Sequence, residues 1–181
     1  MKKPIRPTVA VMVVVAMLMR LVPHPPNFTP VGATALFSGA YLKTPLGYII
    51  APLTLFVTDL VLGFHATMPY VYGSFLLTTA LGQLLSRGKV GLARVATLGA
   101  ISSVIFFLIT NFGVWAETGL YPKTAGGLIA SYIAGLPFLA NMIAADVLFA
   151  TGYFALYQGR FARTLAKVDQ TLLRYLVANG K

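Results

Sequence analysis

Residues 92–116 read LARVATLGAISSVIFFLITNFGVWA, an apolar run whose one charged residue, Arg94, stands near its start. At a helical rise of about 1.5 Å per residue such a run crosses the roughly 30 Å hydrocarbon core of a bilayer with length to spare for tilt or for unwinding around Asn111-Phe112-Gly113. The sequence on either side repeats the pattern. Apolar spans are expected over Thr8 to Val22, Val31 to Leu42, Leu46 to Phe64 and Tyr70 to Leu85 before it. After it, the stretch from Thr124 to Tyr157 reads either as one bent span or as a re-entrant helix, Gly126 to Gly135, followed by a span from Phe138. The fold class is therefore all-α: a polytopic membrane helix bundle of about six transmembrane helices.

Composition agrees. The chain has 181 residues, 57% of them hydrophobic and 10% charged, with a mean hydropathy of +0.80; soluble domains carry about 25% charged residues. The net charge of +10 comes from Lys and Arg that flank the spans. All but Arg20 and Lys123 of the 14 fall at the N-terminus, around Lys43, between Arg87 and Arg94, or from Arg160 onward. The positive-inside rule accounts for this without a polyanion, so no nucleic acid is expected as a partner. It also places both termini on the cytoplasmic side of a bacterial inner membrane. Residues 1–157 form the membrane domain and residues 158–181 a basic, amphipathic cytoplasmic tail. With no cysteine, disulfides, thiolate metal sites and cysteine nucleophiles are excluded.

Span two is too short to cross unaided, and Gly32, Ala35, Gly39 and Ala40 give it small residues for close packing among neighbours. Before it stands His24-Pro25-Pro26-Asn27-Phe28-Thr29-Pro30, a rigid loop or re-entrant segment that cannot be helical throughout.

Ionisable residues within spans are costly in lipid, about 2.5–3.5 kcal/mol each by insertion scales, and so face the bundle interior. Arg20 and Asp59 lie at matching depth near the outer ends of spans one and three, which predicts an ion pair. Asp146, about two turns into the last span, has no evident basic partner and is read as a deeper polar contact for a ligand. The outer ends also collect His24, Asn27, Thr29, His65, Tyr72, Asn111, Trp115 and Asn141, the polar lining expected of a cavity open to the outside. Trp115 also suits an interfacial belt, and the histidines also suit backbone hydrogen bonding. His24 and His65 alone lack the number and spacing of a metal site, and no resident cofactor is expected. Neither a phosphate-binding glycine loop nor a Ser-His-Asp arrangement is evident. The chain is not read as an enzyme.

The segment from Arg20 through Pro23-His24-Pro25-Pro26-Asn27-Phe28 to Ala33, with Asp59-Leu60-Val61-Leu62-Gly63-Phe64-His65 and Asn111-Phe112-Gly113-Val114-Trp115, resembles an uncharacterised bacterial family of small membrane transport proteins. In size, six-span layout and short second span the chain is also similar to the S components of energy-coupling factor vitamin transporters. That resemblance implies uptake of a vitamin or cofactor precursor through an outward cavity, with a coupling subunit and ATPases as partners. If the ligand is a corrinoid, it implies His65 as an axial cobalt ligand. S components often carry an Ala-x-x-x-Ala docking patch in the first span; here Ala10 and Ala16 are six apart and the small-residue pair is Ala35 and Gly39 in the second. The expected function is small-molecule uptake, the alternatives being a scaffold membrane protein or a membrane enzyme.

Overall fold

A computed structural model describes residues 5–42, 45–86 and 90–159. The basic tail expected over residues 158–181 lies outside the described residues from 160 onward, as do Lys2, Lys3, Lys43, Arg87 and Lys89. Among the described residues there are six α-helices and no strand. They are α1 (Ile5–Leu21), α2 (Val31–Tyr41), α3 (Leu46–Leu62), α4 (Met68–Gln83), α5 (Leu92–Glu117) and α6 (Ala125–Tyr157), with a single 3-10 turn, Leu84–Ser86, closing α4.

Two of the six, α5 and α6, are long and apolar enough to cross a membrane, while α1 and α3 are shorter apolar helices. The stretch from Thr124 onward is one helix of 33 residues that carries Pro137 within it. The Thr124 hydroxyl starts it by accepting the Gly127 N–H at 3.1 Å. Proline removes one helical hydrogen bond there, but the flanking turns are held on α5: Ser131 donates to the Asn111 carbonyl and Tyr132 to that of Leu108, each at 2.8 Å. Unwinding at Asn111-Phe112-Gly113 does not occur, and α5 is helical throughout.

The short helix α2 is the hub. Every residue from Val31 to Ala40 is buried, because α3, α4 and α6 surround it. Packing this close needs missing side chains on both partners. A Cβ on Gly39 would strike the Thr79 carbonyl of α4, and one on Gly82 of α4 would strike the Leu36 carbonyl of α2. Ala35 and Gly39 are thus buried inside the bundle.

Hydroxyls in this core bond to their own helices. Thr58, Ser74, Thr78 and Thr79 each donate to a carbonyl one turn back, so burial leaves none of them without a partner. The apolar core divides into two clusters. One gathers Phe37, Leu36, Val95, Ala150 and Phe154, with the Phe37 and Phe154 rings edge to face at 5.1 Å. The other, Ala16, Val31, Leu55, Phe75, Phe106 and Met142, forms the floor beneath the loops that join α1 to α2 and α3 to α4.

Candidate functional site

Four prolines, Pro23, Pro25, Pro26 and Pro30, keep the α1–α2 loop out of helix, and two contacts from α6 fix its position. Asn141 Nδ2 donates to the Pro26 carbonyl at 3.0 Å, and the Phe28 ring stands edge to face on Phe149 at 5.8 Å. Between these anchors Asn27 turns the chain through φ 61°, a left-handed conformation that Asn tolerates better than most residues. Its neighbours His24 and Thr29 are presented to the same space as Asn27. His24 Nδ1 lies 2.7 Å from the Val22 carbonyl, which can only accept, so this nitrogen carries the proton.

Below the loop, Arg20 from α1 meets Asp59 from α3, Nη2 donating to Oδ1 at 2.6 Å. The Tyr72 hydroxyl of α4 donates to the other oxygen, Oδ2, at 2.8 Å. Both oxygens of this buried carboxylate are therefore engaged, whereas the buried Nε of Arg20 has no partner. Around the pair lies a cavity of about 330 Å³ lined by Arg20, His24, Asn27, Thr29, Asp59 and His65, over an apolar floor that includes Phe75, Phe106 and Met142. His65 is exposed at its mouth and its Nδ1 lies 2.8 Å from the Thr67 hydroxyl.

A second cavity, of about 370 Å³, continues between α5 and α6 and shares Asn27, Val71, Phe106 and Met142 with the first. Asn111, Ser131 and Tyr121 contribute to it, but most of its wall is apolar, including Phe107, Phe138 and Leu139. The two spaces meet as lobes of one depression at one end of the bundle.

Several residues expected at the cavity stand elsewhere. Tyr72 acts behind the wall, through Asp59. Asn141 holds the proline loop from outside it. Trp115 closes the α5–α6 turn, donating from Nε1 to the Pro122 carbonyl at 2.9 Å beneath the Lys123 ammonium. Asp146 is buried one layer deeper, behind Gly32. Its Oδ2 accepts from Ser103 at 2.7 Å. Oδ1 lies against Gly32 in the first turn of α2 without a hydrogen-bond partner among the described residues, and the Ala33 amide lies beside the carboxyl group. The opening amides of a helix lack intrahelical acceptors and carry partial positive charge. That turn is the counterpart of Asp146, in place of a basic side chain.

Sequence reasoning passed over Gly32, Val71, Phe106 and Met142, since apolar wall residues look like any other core positions. No three His, Cys, Asp or Glu side chains converge as a metal site among the described residues. Ser103 touches Asp146 directly with no histidine between them, so a hydrolase triad is not assembled there. Each lobe has a volume within the range of small-molecule sites. Two histidines, His24 and His65, line the first lobe; with its Nδ1 at Thr67, His65 has Nε2 left for a ligand.

The sequence that builds these lobes matches a known family along nearly its whole length. The chain belongs to DUF6580, a family of unknown function. The DUF6580 match runs over residues 2–167 and takes in every residue of both lobes. No curated protein and no solved structure matches the chain.

Proposed function

We propose that this DUF6580 protein is a six-span protein of the bacterial inner membrane that binds a small molecule in an outward-facing cavity and takes part in its uptake. The observation that carries the reading is the two-lobed depression: Arg20, His24, Asn27, Asp59 and His65 line one lobe, which opens into an apolar second. Loops from three separate turns of the chain converge there, an expensive arrangement for a bundle with only a scaffolding role.

The bilayer as surroundings is supported by what the helices expose. Val61 is 72% exposed, Val11 64%, Ile133 61% and Leu148 58%, on the three helices α3, α1 and α6. Apolar surface so widely distributed on a soluble monomer would drive aggregation. In lipid it is the ordinary outer face of a bundle, and the short α2 is tolerated because protein surrounds it. The basic residues of the α2–α3 and α4–α5 turns then lie inside, and the cavity outside.

Binding alone moves nothing, because a ligand shifts a conformational equilibrium only by its difference in affinity for the two states. Since the sequence has no nucleotide-binding motif, the energy comes from partner ATPase and coupling subunits or from an ion. The S-component resemblance favours the first.

Native mass spectrometry of the protein purified gently from its own membranes tests the proposal. A retained small molecule, one per chain and of defined mass, is expected. A protein that arrives empty, and whose unfolding temperature is unmoved by a panel of vitamins and their precursors, would count against it.

A further inference from the structure

We propose that the ligand is an organic anion, a carboxylate carried on an apolar body, with the acid seated at Arg20 and the body lying in the second lobe. This inference rests on the binding reading above and adds the ligand's charge and shape.

The first step counts donors and acceptors. Among the described residues Asp59 is the one carboxylate lining either lobe, and its oxygens are already taken by Arg20 Nη2 at 2.6 Å and the Tyr72 hydroxyl at 2.8 Å. A guanidinium carries five N–H donors in a planar fork and no acceptor. Arg20 gives Nη2 to Asp59 and keeps a buried Nε without a partner. What Arg20 Nε lacks among the described residues is an acceptor. The Asn27 amide and the Thr29 hydroxyl line the same lobe.

The second step is electrostatic. A cationic ligand would approach Arg20 and find the nearby carboxylate committed. A neutral one would leave a buried guanidinium donor unpaired or weakly paired, at the cost of its desolvation. An anion avoids both penalties. The first turn of α2 also reaches the cavity wall, through Gly32, and a helix N-terminus attracts anions. Asp146 already occupies that turn from behind, which leaves Arg20 as the seat.

The third step concerns the body. Three polar groups of the second lobe donate within the protein: Thr110 to the Phe106 carbonyl, Asn111 Nδ2 to that of Phe107 and Ser131 to that of Asn111, each at 2.8 Å. The remaining surface offers the rings of Phe106, Phe107 and Phe138 beside Leu139 and Met142. Because Val71, Phe106 and Met142 belong to both lobes, one molecule can span from the guanidinium to the rings.

The test uses the full chain in lipid nanodiscs and sets of probes that differ only in the end group: 3-phenylpropanoate, 3-phenylpropanamide and 3-phenylpropylammonium, and the same three ends on indole and hexyl bodies. The carboxylates are expected to bind at least about tenfold more tightly than the amides, as a charge-assisted contact implies, and the ammonium ions not measurably. Because Arg20 alone cannot be removed without stranding Asp59, the paired variant Arg20→Gln with Asp59→Asn keeps a neutral hydrogen-bonded pair. It should abolish the preference for acids while the apolar bodies still bind. Arg20→Lys, which keeps the charge and loses the fork, should retain a reduced preference. Amides or ammonium ions binding as well as acids would overturn the inference, as would an undiminished preference for acids in the paired variant. A neutral or cationic molecule retained by the natively purified protein would overturn it and leave the uptake proposal standing. A protein that retains nothing and binds none of the probes would remove both.

Discussion

The Asp146 carboxylate of α6 lies so close to Gly32, the second residue of α2, that a methyl group on Gly32 would fall on Oδ1. This contact seats the buried helix α2 under the cavity, and hydrogen in place of a side chain is what permits it. Gly32→Ala should lower stability by about 1–3 kcal/mol, the usual cost of overpacking a filled interior. Gly73→Ala in α4 is the matched comparison, since its new Cβ would meet nothing within 4 Å. It should be neutral or stabilising by up to about 1 kcal/mol, because alanine favours helix over glycine. Unfolding in detergent, monitored by circular dichroism, separates the two, and equal behaviour would deny the close contact.

The Arg20–Asp59 pair should respond unequally to loss of its two members. Asp59 has 3% of its side chain exposed and Arg20 18%, so an abandoned carboxylate is the worse orphan. Arg20→Ala should cost about 3–5 kcal/mol, the range for stranding a buried charge, and Asp59→Ala distinctly less. Replacing both, with Arg20→Met and Asp59→Leu, should recover most of the loss, since an apolar pair of similar volume leaves no uncompensated charge. Tyr72→Phe removes one hydrogen bond to a charged group and should cost about 1.5–3 kcal/mol. A double-mutant cycle of Arg20→Met, Asp59→Leu and the two together checks the pairing; additive single losses would mean that the residues act independently.

Gly39 and Gly82 make a reciprocal contact between α2 and α4, each meeting the other helix's backbone. A carbonyl cannot swing aside as a side chain can. Gly39→Ala and Gly82→Ala should therefore each destabilise by about 3 kcal/mol, the upper end of the overpacking range, through separation of the helices. The double variant should cost less than the sum, because the first methyl already forces the separation the second requires. Thermal unfolding of the four proteins tests this, and strict additivity would contradict a shared contact.

The cavity end was legible because its residues are anomalous in apolar sequence. Prolines mark a loop, and an arginine and an aspartate at equal depth on neighbouring spans have few affordable positions apart from each other. Polarity alone did not separate lining from support. Trp115 and Asn141 belong to the same end but spend their donors on Pro122 and Pro26, holding loops in place. Asp146 was hardest to place, since its counterpart is a set of backbone amides at a helix start, a charge with no letter in the sequence. The continuity of α6 was hidden for a related reason. Gly135 and Pro137 look like breaks, but Gly135 is small to admit the Asn111 side chain, and contacts with α5 carry the helix through the proline.

Sidedness gives the sharpest test of the six-span reading, and the absence of cysteine makes the experiment clean, because a single introduced thiol is the only one present. His65→Cys in the α3–α4 turn and Thr118→Cys after α5 both lie at the cavity end. Ser86→Cys, at the close of the 3-10 turn after α4, lies at the other. In intact spheroplasts a membrane-impermeant maleimide should label the first two and leave the third unmodified until the membrane is opened. The reasoning is geometric: each helix reverses the chain, so α3 and α5 must end on the same side and α4 on the opposite one. Labelling of all three without permeabilisation would remove the bilayer from the account and leave the exposed apolar faces of α1, α3 and α6 to be covered by protein. Labelling of Ser86→Cys alone would keep the spans but turn the cavity toward the cytoplasm, and the proposed uptake would become export or sensing.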